Sequence, residues 1–194
     1  MTESKTTDPP TDGQSPSKGP KTINFEGRTY SWTGRKWVNV ETFTYPPFET
    51  TNKLNAILLS RLKKEDDEVT DVRQLLDRAS DAKAQTQYDR AVGLARKVLQ
   101  LSSGSFGAVT ILCSCLRALG KPEEALKESA PYKNENYPPL ITTRAAALCD
   151  LGRWKDAKIE ISKVLSYKKK NDDWKYSEPF QVLKRIKTVR PDLF

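Results

Sequence analysis

The chain has 194 residues, a formal net charge of +8, three cysteines and no histidine. Without histidine it has no imidazole base, so Ser–His and Cys–His catalytic pairs are excluded, and a zinc site would need carboxylates beside the three cysteines. The first ten residues lack the apolar core of a signal peptide, and no apolar run reaches the roughly 20 residues that span a bilayer. Together with the odd cysteine number, these features predict reduced thiols, a cytoplasmic location and no membrane partner.

The positive charge is concentrated near the C-terminal end. Residues 153–194 contain 12 Lys and Arg against 6 Asp and Glu, whereas residues 64–90 contain 8 acidic against 5 basic side chains. A basic end attracts phosphates or acidic partners, but the more common explanation is a solvated helix face. Both interpretations stay open from the sequence.

The first 21 residues are rich in Thr, Ser, Pro, Gly and Lys and carry few apolar side chains. Such a segment cannot bury enough apolar surface to offset the entropy lost on ordering, so we predict a disordered tail. The composition then changes abruptly. Residues 22–47 are dense in β-forming and aromatic side chains, and we predict a small antiparallel β-meander followed by a Pro-rich connector.

Turn signals at Glu26-Gly27 and Thr33-Gly34 divide the predicted meander into two or three short strands. A sheet of this size is only marginally stable alone in water, so its aromatic side chains should dock either on the helical domain or on a partner. Docking on the helical domain is the preferred alternative. If they face a partner instead, the recognition patch would consist of Tyr30, Trp32 and Trp37.

The segment Tyr45-Pro46-Pro47-Phe48 predicts an extended connector, because proline disfavours helix in the residue before it. Thr50 or Thr51 then predicts the N-cap of a helix that ends near residue 63. The charged residues 64–68 predict a break after it. The apolar residues of this helix fall on one stripe: Leu54, Ile57, Leu58 and Leu62.

Residues 106–128 and 138–160 repeat one pattern. Each copy has an apolar helix that ends in Leu-Gly, and then an amphipathic helix with an alanine five residues after the glycine. These alanines, Ala125 and Ala157, lie 32 residues apart. A fainter copy places Ala91 another 34 residues upstream, with Thr86 where the turn glycine should be. A repeat of this length is one supersecondary unit that must stack on neighbours to bury its apolar face.

The repeat resembles the tetratricopeptide repeat over about residues 68–170. The third copy carries the family's turn glycine, the aromatic after it and the small residue at the helix crossing as Gly152, Trp154 and Ala157. The middle copy keeps the glycine and the alanine but has Pro122 in place of the aromatic. The resemblance implies helical hairpins that stack into a short α-solenoid.

The predicted fold is mainly α: a short α-solenoid of TPR-like helical hairpins with a capping helix, preceded by the β-meander and the disordered N-terminus. Residues 48–176 form the helical repeat domain and residues 177–194 the capping helix, which opens with Ser177 as N-cap and Pro179 in its first turn. The predicted repeat helices lie near residues 68–84, 87–101, 105–119, 122–131, 138–151 and 154–168.

In tetratricopeptide repeats the first helices line a concave groove that binds extended peptides. Carried over by position, the groove of this chain would contain Arg73, Ser80, Lys83, Thr110, Ser114, Arg117 and Thr142. It lacks the asparagine and the basic spacing of the clamp that binds chaperone C-terminal carboxylates in some members. A mildly basic, hydroxyl-lined groove would still suit an acidic peptide.

No glycine-rich phosphate loop, nucleophile elbow or metal spacing is present, and the cysteines fall where small buried residues pack. We therefore predict a non-catalytic protein–protein interaction module, an adaptor or scaffold without a cofactor. The alternative is a nucleic-acid-associated protein that binds phosphates through its basic C-terminal face, although few aromatics accompany those charges. Three repeats are near the minimum for a stable stack, so a homodimer through an open face is a further alternative.

Overall fold

The computed structural model describes residues 21–165 and 178–194. Nearly all of the predicted disordered tail lies outside these residues, as do the end of the last predicted repeat helix and Ser177. The chain forms two compact units, residues 1–59 and 60–194, which we call unit 1 and unit 2. The domain limits at residues 47 and 176 stay a prediction.

Unit 1 contains the predicted antiparallel meander. Its strands are β1 (Lys21–Phe25), β2 (Arg28–Trp32) and β3 (Trp37–Asn39), paired in the order β1-β2-β3. Glu26 and Gly27 turn β1 into β2 with φ values of 50° and 73°, the left-handed pair that a tight two-residue hairpin needs. The chain then continues into α1 (Phe48–Asp67), which begins in unit 1 and ends in unit 2.

The small sheet of unit 1 gains its stability from the first half of α1. Trp37 is buried, and its indole Nε1 donates a hydrogen bond to Asn55 Oδ1 over 2.8 Å. Ile23 and Tyr30, which face each other across β1 and β2, are buried as well, and so is Leu54 of α1. The helix therefore supplies apolar surface that a three-stranded sheet lacks on its own.

Unit 2 is a row of three helical hairpins followed by a single helix. The hairpins pair α2 with α3, α4 with α5, and α6 with α7, and α8 packs against α6 and α7. Short 3-10 helices follow α5 at Ala130–Tyr132 and α8 at Pro191–Leu193. The helices are α2 (Val72–Ala84), α3 (Tyr88–Leu101), α4 (Phe106–Ala118), α5 (Pro122–Glu128), α6 (Pro138–Asp150), α7 (Trp154–Leu165) and α8 (Glu178–Val189).

All three hairpins turn in the same way. Thr86, Gly120 and Gly152 follow the first helices in the left-handed conformation, with φ values of 58°, 73° and 70°. In the first hairpin Gln87 N donates to Ala82 O over 2.9 Å, and the same backbone bond recurs at 2.9 Å in the other two. This is the Schellman pattern of helix C-termini, and it confirms that Thr86 occupies the place of the turn glycine.

The apolar core of unit 2 forms two clusters. One runs through α2 to α6, and the other joins α6, α7 and α8. Val182 and Ile186 of α8 are buried in the second cluster beside Cys149 and Ile161. The structure therefore has the predicted short solenoid of TPR-like hairpins with a capping helix.

Two predictions about α1 are wrong. The helix begins at Phe48, before Thr50 and Thr51, and it continues through the charged residues to Asp67 rather than breaking at residue 64. Lys and Glu are good helix formers, and Asp66 finds arginine partners in unit 2, so the charges do not end the helix. The next helix, α2, is capped by Asp71, whose carboxylate accepts from Gln74 N over 2.7 Å.

Candidate partner-binding face of the helical repeats

The first helices of the hairpins lie side by side in unit 2. α2 packs against α4, α4 packs against α6, and α8 takes the next place in the row beside α6. Arg73 and Ser80 of α2 are exposed, and Thr110 and Ser114 of α4 are half-buried. These four predicted groove residues thus lie on two neighbouring helices of one row.

Lys83 and Arg117 occupy equivalent places in successive hairpins, each three residues before the left-handed turn residue. Both are half-buried. Burial raises the pKa of the Cys115 thiol in α4, and the positive charge of Lys83 partly offsets that rise. The equivalent residue of the third hairpin is Cys149, which is buried. The third hairpin therefore has no basic side chain at the place that Lys83 and Arg117 occupy in the first two.

A third basic side chain, Arg185 of α8, shares an acidic partner with Arg117. Arg117 Nε donates to Asp150 Oδ2 over 2.7 Å, and Arg185 Nη1 donates to Asp150 Oδ1 over 2.6 Å. Burial alone would raise the pKa of Asp150, but the hydrogen bonds and charges of the two arginines hold it below its usual value. Arg185 also lies over the ring of Trp154, 5.7 Å from its centroid. Lys83, Arg117, Asp150 and Arg185 are called the basic edge below.

The predicted groove does not extend onto α6. Thr142 is only 1% exposed, and its hydroxyl donates to Pro138 O over 2.8 Å, so a partner cannot reach it. Every residue from 140 to 149 is buried, because α6 packs against α4, α5, α7 and α8. The accessible face consists of α2, α4 and the basic edge, and including Thr142 in it was wrong.

The predicted aromatic patch is not a surface patch. Tyr30 is 4% exposed and Trp37 is 1% exposed, so both belong to the core of unit 1. Trp32 is half-buried, with its ring centroid 5.3 Å from that of Trp37. The density of β-forming side chains and the turn signals placed these residues correctly in short strands, but they could not show which side chains of the sheet are buried.

Sequence reasoning also missed two buried charge clusters. Arg144 of α6 binds Glu160 of α7 over 2.9 Å and donates to the carbonyl oxygen and hydroxyl of Ser129. Asp66 of α1 accepts from Arg78 and Arg90 at distances of 2.7 to 3.0 Å. The partners lie 12 to 24 residues apart in sequence. No local pattern pairs them, so only the helix packing reveals them.

The three cysteines are buried thiols. Burial raises the pKa of Cys113 to about 12, and its Sγ donates to Ala125 O over 3.2 Å. A thiol of this kind is a poor nucleophile.

Among residues 21–165 and 178–194, no group of three or more Cys, Asp or Glu side chains could hold a metal ion. Within the same ranges, no helix has both the length and the apolar character needed to cross a membrane.

The basic C-terminal face is partly neutralised by the protein's own carboxylates. In the described part of this region, Arg153 binds Asp156 and Arg190 binds Asp192. Arg185 is held by Asp150, as described above, while Lys184 and Lys187 of α8 are exposed to solvent. Asp156 and Asp192 are already counted in the net charge of residues 153–194, whereas Asp150 lies outside that range and offsets one further positive charge.

A comparison with solved structures pairs this chain with one described as "First TPR of Spaghetti (RPAP3) bound to HSP90 peptide SRMEEVD". The TM-score is 0.53 at 21% sequence identity, and the match covers 62% of this chain and 93% of that chain. A scan against protein families finds no match, and neither does a search of curated proteins. At this identity the likeness shows the fold: the hairpins of unit 2 are TPR-like.

Proposed function

We propose that unit 2 is a non-catalytic protein-interaction module that binds a peptide or protein partner through the face of α2, α4 and the basic edge. The observation that carries this proposal is the basic edge itself, where Arg117 of α4 and Arg185 of α8 both donate to Asp150 of α6. Such a module would act as an adaptor or scaffold, and the three free thiols favour the cytoplasm.

The chemistry of the basic edge favours an acidic partner. A guanidinium has five N–H donors, and Asp150 accepts only one bond from each arginine, so both arginines keep donors for a further carboxylate. Asp150 also holds the two side chains in place, which lowers the entropy lost when a partner binds. The solved neighbour is described as bound to a peptide with three acidic residues, which agrees in charge.

The test is a titration of the full chain with labelled peptides by fluorescence anisotropy. An array of acid-rich peptides supplies the probes, and each hit is paired with a counterpart in which Gln and Asn replace Glu and Asp. We expect hits to lose at least tenfold in affinity in that counterpart. We expect a similar loss in the double variant Arg73→Ala with Arg117→Ala, whose circular dichroism should match that of the wild type.

Arg153→Ala is the matched control, because Arg153 is an exposed arginine that pairs with Asp156 and is not one of the predicted groove residues. Its peptide affinity should not change. Intact binding in the double variant would overturn the proposal. A 20-base-pair DNA duplex distinguishes the nucleic-acid alternative, since phosphate binding weakens steeply with salt concentration.

A further inference from the structure

The three most exposed aromatic side chains of the described residues lie outside unit 2, between the end of β3 and the first residue of α1. Phe43 and Phe48 are each 82% exposed, and Tyr45 is 66% exposed. Val40 is exposed as well. We call residues 40–48 the aromatic connector. Side chains of this kind usually pack inside a protein or against a partner, yet three of them lie exposed within six residues.

The start of the aromatic connector is a fixed turn built on Asn39. The buried side chain of Asn39 accepts hydrogen bonds from the backbone N–H groups of Glu41 and Thr42, both at 2.9 Å. Phe43 N donates to Asn39 O, and Asn39 N donates to Thr44 O, again at 2.9 Å. The turn therefore holds the backbone of Phe43 in one conformation while its ring points into solvent.

That conformation does not suit phenylalanine. Phe43 has a φ of 55°, in the left-handed region where a side chain crowds the backbone and where glycine or asparagine is favoured. An exposed ring gains no burial energy in return. Phe43 thus neither favours the backbone conformation of its turn nor packs in the core of unit 1. Strained residues of this kind are concentrated at binding surfaces.

The second half of the aromatic connector is extended. Pro46 and Pro47 fix two φ angles and keep Tyr45 and Pro46 out of the helical region until α1 begins at Phe48. The ammonium of Lys36 lies 4.9 Å from the ring centroid of Tyr45.

We propose that the aromatic connector is a docking segment for a protein module with an aromatic-lined groove that accepts an extended, proline-containing chain. Phe43 enters an apolar pocket of that groove, Tyr45 and Phe48 lie along it, and an acidic side chain at its rim pairs with Lys36. Prolines lower the entropy cost of binding an extended chain, and grooves of this type are a common mode of recognition.

The exposed area argues for a groove on the partner rather than a second copy of this chain. An aromatic side chain offers roughly 150 to 250 Å², so the three rings expose about 350 to 575 Å² together. A stable interface needs about 800 Å² from each partner. Because the rings protrude from the segment, the partner must also supply the concave surface. Both points fit a peptide-like segment inserted into a groove.

The experiment measures binding of the full-length chain to a panel of purified SH3, WW and EVH1 domains by calorimetry. We expect at least one domain to bind with a Kd well below about 1 mM. Phe43→Gly should weaken that binding at least tenfold while the melting temperature stays the same or rises, because glycine suits the left-handed φ. The double variant Pro46→Ala with Pro47→Ala should also weaken binding, through loss of the extended backbone.

Leu59→Ser is the matched control, since it removes an exposed apolar side chain of the same unit outside the aromatic connector. It should leave the affinity unchanged. Absence of binding across the panel, or equal affinity of wild type and Phe43→Gly, would overturn the proposal. Self-association in sedimentation that Phe43→Gly abolishes would overturn it too, because the occupant would then be a second copy. Peptide binding by unit 2 is unaffected by either result.

Discussion

Arg144 of α6 and Glu160 of α7 form an ion pair that is buried inside the third hairpin, with Nε and Oε1 2.9 Å apart. Ser129, at the end of α5, accepts two further hydrogen bonds from the same arginine. The pair therefore ties the second and third hairpins together by polar contacts, beside the apolar clusters. Charges so deep in a fold stabilise it only while both partners are present.

We expect Glu160→Leu to lower the free energy of unfolding by about 3 to 5 kcal/mol, because it leaves the buried charge of Arg144 without its carboxylate. The double variant Arg144→Met with Glu160→Leu should recover much of that loss, since it removes both charges at once. Urea unfolding of the wild type, both single variants and the double variant gives the coupling energy. Losses that simply add would show that the pair is not coupled.

Asp66 should make the stability of unit 2 depend on pH. Burial alone would raise the pKa of Asp66, but hydrogen bonds and charges from Arg90 and Arg78 outweigh it and hold the pKa below its usual value. A lowered folded pKa means that the stabilisation is complete above the unfolded pKa, about 3.9, and is lost as the pH falls through the folded value.

To test the role of Asp66, the free energy of unfolding is measured for the wild type and for Asp66→Asn between pH 7 and pH 2. We expect the variant to be less stable by about 2 kcal/mol at pH 7, because two arginines lose a charged acceptor, and the difference should vanish at the acid end. Asp77→Asn, at an exposed carboxylate of α2, is the control and should show little difference at pH 7. A gap that stays constant across this range would contradict the role given to Asp66.

The turn at Thr86 should be improved by glycine. A threonine in the left-handed region costs about 1 to 2 kcal/mol, and glycine avoids this but loses more entropy on folding. We expect Thr86→Gly to stabilise the protein by roughly 0.5 to 1 kcal/mol. Gly120→Ala is the reverse test, because an added Cβ would meet nothing within 4 Å there and the cost comes from φ alone. Thermal unfolding would reveal whether the two changes have opposite signs, as this account requires.

A charge at the helix crossing of the third hairpin should be severely destabilising. Ala157 is 0% exposed within the cluster of α6, α7 and α8, so Ala157→Glu inserts both bulk and an unpaired carboxylate. We expect a loss of several kcal/mol in the free energy of unfolding. Ile159→Glu, at a 65% exposed position of the same helix, should change it little. Equal melting temperatures for the two variants would show that the crossing lies elsewhere.

The hairpins could be predicted because the residues that specify each of them lie close together in the sequence. Leu-Gly followed five residues later by alanine recurs in sequence, and each copy folds with the same left-handed turn. The spacing of the repeats also placed Thr86 at the turn of the copy that lacks the glycine. Ala157 was placed at its crossing by the same reasoning, and it is buried there.

The rest of the site depends on contacts between distant residues. Nothing near Arg185 in sequence indicates that it meets Asp150, 35 residues away. The burial of Thr142 follows from how α8 and its neighbours pack on α6, which hydrophobic periodicity does not describe. The charged residues 64–68 predicted a break for the same reason, since the arginine partners of Asp66 lie in α2 and α3.

The position of α8 has a consequence for self-assembly. Its Val182 and Ile186 lie where another hairpin would stack, and its outer side carries Lys184 and Lys187. Removing this helix would expose the apolar side of the last hairpin around Cys149 and Ile161. Two such truncated molecules could then join tail to tail through identical surfaces, as in a twofold dimer. By covering the apolar side of the last hairpin, α8 thus prevents this end of the row from self-associating.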